Sequence, residues 1–179
     1  MNQSPPEFPA GFCIHYHRVM EMKRNWKTYL FWIALAEGVG ALSGWLTREG
    51  NQWYREFVQQ PPLSPPGWVF PVVWSILYLL MGYASYRILE TPASMEESKK
   101  ALTLYGLQLL ANFIWPLLFF GGGWFLLSFF WLILLWVLIY LTIRAFSKID
   151  ETAGNLLIPY ILWVTFAAYL NFGIYLLNP

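Results

Sequence analysis

Five apolar runs, at about 28–46, 68–89, 101–120, 124–146 and 155–177, decide what this chain can become. Each is long enough to cross roughly 30 Å of hydrocarbon as a helix rising about 1.5 Å per residue. Lipid offers the backbone no hydrogen bonds, so membrane segments fold as helices or as closed barrels. A barrel is written in shorter segments of alternating polarity, and these runs are continuous. The expectation is an all-α integral membrane protein, a bundle of five transmembrane helices over residues 28–179 behind a polar tail, residues 1–27. Composition closes the soluble alternative. Only 12% of the 179 residues are charged and 58% are hydrophobic, whereas a soluble domain carries about 25% charge.

The tail is broken by Pro5, Pro6 and Pro9 and reads as mostly loose, with a short interfacial helix near Arg18–Trp26. It holds the one cysteine, Cys13, so no internal disulfide forms. His15 and His17 stand there too, without metal-ligand spacing around them. The connections between runs differ in kind. Gly121-Gly122-Gly123 leaves so little slack that the third and fourth helices must be antiparallel neighbours. The connection 47–67 is long and carries Trp53, Tyr54 and the run Pro61-Pro62-Leu63-Ser64-Pro65-Pro66, which resists helix and stiffens the chain. Such a segment is a candidate lid, with a plain spacer as the alternative. Basic residues set the orientation. Nine of the eleven, namely Arg18, Lys23, Arg24, Lys27, Arg87, Lys99, Lys100, Arg144 and Lys148, share one face, against Arg48 and Arg55 on the other. The positive-inside rule then puts the N-terminus in the cytoplasm and the C-terminus outside, in a membrane expected to be the cell membrane. A net charge of +1 gives no reason to expect nucleic acid.

Part of the large Trp and Tyr content, 11 of each, belongs to the membrane–water interface. The remainder lies within the spans at helical spacing. Gln108, Asn112, Trp115 and Phe119 form one stripe, Trp163, Ala167 and Asn171 a second, and Trp74 with Tyr78, just after Pro71, a third. Polar groups at membrane depth turn toward the bundle interior. These stripes suit either helix packing with amide cross-links or an apolar, flat-walled cavity with a few hydrogen-bonding groups. Ala36, Gly40 and Gly44 repeat every four residues, a small-residue face for close contact inside the bundle or between two copies. Glu37 is the one acid within a run; a ligand or proton group and a protonated, internally bonded carboxyl fit it equally. Nucleophile motifs, phosphate loops, metal clusters and proton-relay chains are missing from the sequence.

Three blocks stand in register. The first is Trp53-Tyr54, then Pro65-Pro66-Gly67-Trp68-Val69-Phe70-Pro71-Val72-Val73-Trp74-Ser75-Ile76-Leu77-Tyr78 and Met81-Gly82. The second is Asn112-Phe113-Ile114-Trp115-Pro116 with Phe119-Phe120-Gly121, and the third Pro159-Tyr160-Ile161-Leu162-Trp163 with Phe166-Ala167 and Leu170-Asn171. Together they resemble the TspO/MBR family, the tryptophan-rich sensory proteins also called translocator proteins or peripheral-type benzodiazepine receptors. The resemblance implies a five-helix bundle, often a homodimer, that binds tetrapyrroles such as protoporphyrin as ligands rather than cofactors, and hydrophobic drug-like molecules. It implies a pocket of Trp74, Tyr78, Asn112, Trp115, Phe119, Trp163 and Ala167, with Tyr54 closing over it, and no catalytic or metal residues.

Two departures stand out. Gln60-Pro61-Pro62-Leu63 replaces the family's Lys-Pro-Ser-Trp, so the connection lacks one basic and one aromatic group. No Lys or Arg follows Tyr175, so sterol capture through a C-terminal motif is not expected. Transport, sensing or stress regulation through tetrapyrrole binding is the leading functional expectation, and the chain is not expected to be an enzyme. Light- and oxygen-dependent porphyrin breakdown and a dimeric scaffold on the Ala36/Gly40/Gly44 face are the alternatives.

Overall fold

A computed structural model describes the backbone of residues 10–179 and the side-chain surroundings from Trp26 onward. The proline cluster at 5–9 lies outside the described residues, as do the side chains of Cys13, His15, His17, Arg18, Lys23 and Arg24. All regular structure among the described residues is helical: α1 Ala10–Leu46, α2 Arg48–Phe57, α3 Val69–Glu90, α4 Met95–Pro116, a π-helical turn Leu117–Gly121, α5 Phe125–Ile149, α6 Glu151–Asn155 and α7 Ile158–Leu177. Five stretches are long and apolar enough to cross a membrane, at Trp26–Leu46, Val69–Glu90, Met95–Gly121, Phe125–Ile149 and Glu151–Leu177. Large side chains such as Phe31, Leu42, Phe130, Leu134, Leu162 and Leu176 are exposed around the bundle, which suits lipid rather than water.

The differences from the sequence expectation have local causes. Residues 10–27 are not a loose tail with a short helix at its end; the backbone is helical from Ala10 into the first span. The third span starts at Met95, not near 101, because Ser94 and Glu97 form a reciprocal cap. The Glu97 backbone N–H donates to Ser94 Oγ at 3.2 Å and the Ser94 N–H to Glu97 Oε2 at 3.3 Å. The connection 47–67 is half helix. Within α2, Arg55 donates to Asn51 at 3.1 Å and Gln52 to Glu56 at 3.3 Å. Glu49 in its first turn and Arg55 in its last complement the helix dipole. Asp150 caps α6 by accepting from the backbone N–H groups of Thr152 and Ala153 at 2.8 and 3.2 Å. Pro159 in the first turn of α7 fits where a missing N–H costs nothing.

As the glycine run requires, α4 and α5 pack side by side, and α5 in turn packs along α7. On the other side α1 packs along α3 and also touches α4. The core between them holds Leu77, Met81, Ile88, Tyr105, Leu132, Leu135, Phe146, Tyr160 and Val164.

Candidate functional site

At the end of the bundle where α2 lies, the helices part around a cavity of about 560 Å³. That falls within the range of small-molecule pockets, about 300–1,000 Å³. Four of the five spanning helices and α2 line it; α5 does not. One wall is aromatic. Trp74 and Tyr78 of α3 stack with centroids 5.6 Å apart, and Trp115 of α4 stacks on Phe119 of the π-helical turn at 5.2 Å. Phe120 meets Phe119 edge-on at 4.8 Å. Pro116 supplies no N–H to the helical ladder, and the backbone widens immediately after it into the π turn that carries both phenylalanines to the cavity.

Two hydrogen-bond networks fix these rings. Tyr78 donates to Asn112 Oδ1 at 2.6 Å, Asn112 Nδ2 donates to the Tyr160 hydroxyl at 2.9 Å, and that hydroxyl donates to Gln108 Oε1 at 2.9 Å. Farther along, the Trp115 indole N–H donates to Asn171 Oδ1 at 3.3 Å. Asn171 also accepts from Ser128 at 3.0 Å and donates to the Phe125 carbonyl at 2.7 Å. The two asparagines therefore cross-link helices and line the cavity at once; packing and pocket are not exclusive here. Asn112 keeps one lone pair and one N–H beyond these bonds.

α2 lies over one end of the cavity. The Tyr54 ring sits 5.5 Å from Phe119 and 5.3 Å from Phe120. Burial pushes its phenol up to about 12, so it stays an O–H donor at neutral pH. Gly50 makes this approach possible, since a Cβ there would lie 2.0 Å from the Phe120 carbonyl oxygen. The proline segment that follows is tied to α7. The Asn178 side chain accepts from the Gln59 N–H at 3.0 Å and donates to the Gln59 carbonyl at 2.9 Å, and Tyr169 donates to the Pro62 carbonyl at 3.1 Å. Pro61 fills the space beside Gly173, where a Cβ would come within 2.7 Å.

Seven of the eight residues singled out from the sequence line this cavity: Tyr54, Trp74, Tyr78, Asn112, Trp115, Phe119 and Ala167. Trp163 stands behind the wall instead. It meets Phe70 at 5.8 Å and Phe166 at 5.6 Å, and Phe70 is what reaches the cavity. Its buried indole N–H has no partner among the described residues.

Four contributions were not among the expected pocket residues. The α1 wall is Glu37, Gly40, Ala41, Ser43, Gly44 and Thr47. The small-residue face of α1 thus borders the cavity. Ala36 is fully buried, a Cβ on Gly40 would lie 2.1 Å from the Tyr78 ring, and Gly44 borders open cavity. The every-fourth spacing announced a close contact without saying with what. Arg55 and Gln60 on the rim, Tyr160 in the network and Ser128 behind Asn171 are the others, and no periodicity marked them.

Comparison with known proteins places this arrangement among relatives. Residues 32–177 match the model of the TspO/MBR family. The tryptophan-rich protein TspO of Chlorobaculum tepidum is 37% identical over 158 residues, covering 88% of this chain and 100% of that protein. The tryptophan-rich sensory protein of Cereibacter sphaeroides is 36% identical, covering 88% and 95%. The translocator protein of Ovis aries is 40% identical over 69% of this chain and 73% of its own length.

Proposed function

Because the chain belongs to the TspO/MBR family, as the match over residues 32–177 establishes, we propose that its cavity binds flat, hydrophobic ligands of the tetrapyrrole class. Protoporphyrin is the type ligand, apolar drug-like molecules share the site, and binding serves transport, sensing or stress regulation. The observation that carries this reading is the aromatic wall of Trp74, Tyr78, Trp115 and Phe119, held rigid by the two amide networks beside a 560 Å³ space. A planar macrocycle gains buried area against such a wall, plus about 0.5–1.5 kcal/mol for each favourable ring pair. Asn112 and Tyr54 supply hydrogen bonds to its polar atoms. The relatives are named for sensing and translocation rather than for a reaction. Among the lining residues Glu37 is the one carboxylate, and there is no His or Cys to pair with it for acid–base turnover. The distribution of basic residues supports a cytoplasmic N-terminus, which puts the mouth under α2 on the outer face.

The test is a titration of the purified protein with protoporphyrin, read by the porphyrin's own absorbance. Trp74→Ala should weaken binding by about tenfold or more, whereas Trp163→Ala, one layer back, should have a clearly smaller effect. Unchanged affinity in Trp74→Ala removes the pocket as assigned.

A further inference from the structure

The cavity is chemically asymmetric along its length. Its lining carries two ionisable side chains with opposite preferences, the carboxyl of Glu37 from within the first span and the guanidinium of Arg55 from α2. From Glu37 to Thr47, where α1 ends and the chain turns into α2, the helix rises about 15 Å. The acid therefore sits at the inner end of the cavity and the cation at its mouth. Arg55 is steered there. Its Nε donates to Asn51 Oδ1 at 3.1 Å, and its guanidinium carbon lies 3.4 Å from where a Cβ on Gly67 would stand. The side chain thus reaches from α2 to the segment leading into α3, across the rim that Asn51, Gln60, Pro65 and Gly67 complete. Among the described residues no carboxylate pairs with it; the Arg87–Asp150 ion pair lies at the far end of the bundle. A guanidinium with Nε occupied still has its two terminal nitrogens, which suit a carboxylate met end-on by both.

Resting on the tetrapyrrole reading above, we propose that Arg55 is the anchor for the ligand's anionic edge, and that the site selects flat apolar molecules bearing carboxylates on one side. The apolar body lies against Trp74 and Trp115, the carboxylates meet Arg55 at the rim, and the inner end, where Glu37 stands, offers a reversed ligand no cation.

The experiment compares protoporphyrin, a dicarboxylic acid, with its dimethyl ester, which has the same ring and no charge, on the full chain in detergent. Arg55→Gln preserves helix propensity on an exposed face. The diacid should lose about tenfold in affinity in Arg55→Gln, the ester should bind both proteins alike, and Arg55→Lys, which keeps the charge but not the paired donors, should fall between the parent and Arg55→Gln. An unchanged diacid affinity in Arg55→Gln overturns the anchor, as does an equal loss for acid and ester, which would mark Arg55 as a support of the rim alone. In either case ester binding to the unaltered protein keeps the cavity reading. Failure of acid and ester to bind the unaltered protein overturns both.

Discussion

At the end of the bundle where Arg87 meets Asp150, α1 and α3 lie backbone to backbone; under α2 the same two helices stand apart around the cavity. Gly82 decides the first. A Cβ on it would come within 2.7 Å of the Ile33 Cα, so only a bare backbone lets α1 pass. Tyr29 then fits between Tyr83 at 5.9 Å and Tyr86 at 5.5 Å. Gly154 nests on Ser147 in the same tight half, and Arg87 reaches Asp150 at 2.7 Å, with Thr91 adding a hydrogen bond at 3.3 Å. In the other half Gly40 accepts the Tyr78 ring and Gly44 has nothing within 4 Å of where its Cβ would stand. The lesson is that glycine does two jobs on these helices. Where it meets backbone it closes the bundle, and where it meets space it keeps the cavity wide.

The comparison breaks most visibly at Gly82. Gly82→Leu forces a side chain into the α1 backbone and should cost about 3 kcal/mol or more, read as a loss of the helical fold at lower denaturant in detergent. Retention of the original unfolding midpoint would show that the two helices are not held at that contact.

A smaller effect is expected at Asp150. Burial pushes its carboxyl up, but the bonds from Arg87 and from the Ala153 and Thr152 N–H groups outweigh burial and hold it below the ordinary carboxylate range. A carboxyl held low in the folded state stabilises above its unfolded pKa, about 3.9, and that contribution is lost as pH falls through the lower folded value. Asp150→Asn keeps the helix cap and removes the charge. It should cost about 1 kcal/mol at pH 7, a modest figure because Arg87 is one-third exposed. The gap between the two proteins should close in acid. A gap that does not narrow at all as pH falls below about 3.9 would assign the effect to the cap rather than the ion pair.

Much of this was legible beforehand. The spans, the antiparallel pair forced by Gly121–Gly123 and seven cavity residues follow from continuous apolarity, short connection and helical spacing, all of them local properties of the chain. What escaped depends on partners distant in sequence or on weak local signals. Residues 48–57 carry Gly50 and Asn51, poor helix formers, and their helix is fixed by side-chain bonds four residues apart and by the Phe120 backbone beneath Gly50. Trp163 shares a stripe with Ala167 and Asn171, yet Phe70 from α3 comes between it and the cavity. Spacing tells which face a residue occupies, not which neighbour arrives first. The Ala36/Gly40/Gly44 face likewise named a contact and left Tyr78 unidentified as the partner.

The central claim is that the open half of the bundle exists to hold a ligand, and Gly44 tests it most directly. Gly44→Leu places a side chain in open cavity and improves helix propensity, so its unfolding midpoint should stay within about 1 kcal/mol of the parent's. A protoporphyrin titration of this variant should show affinity reduced by about tenfold or more at intact fold. Parental affinity in a folded Gly44→Leu protein would contradict the account.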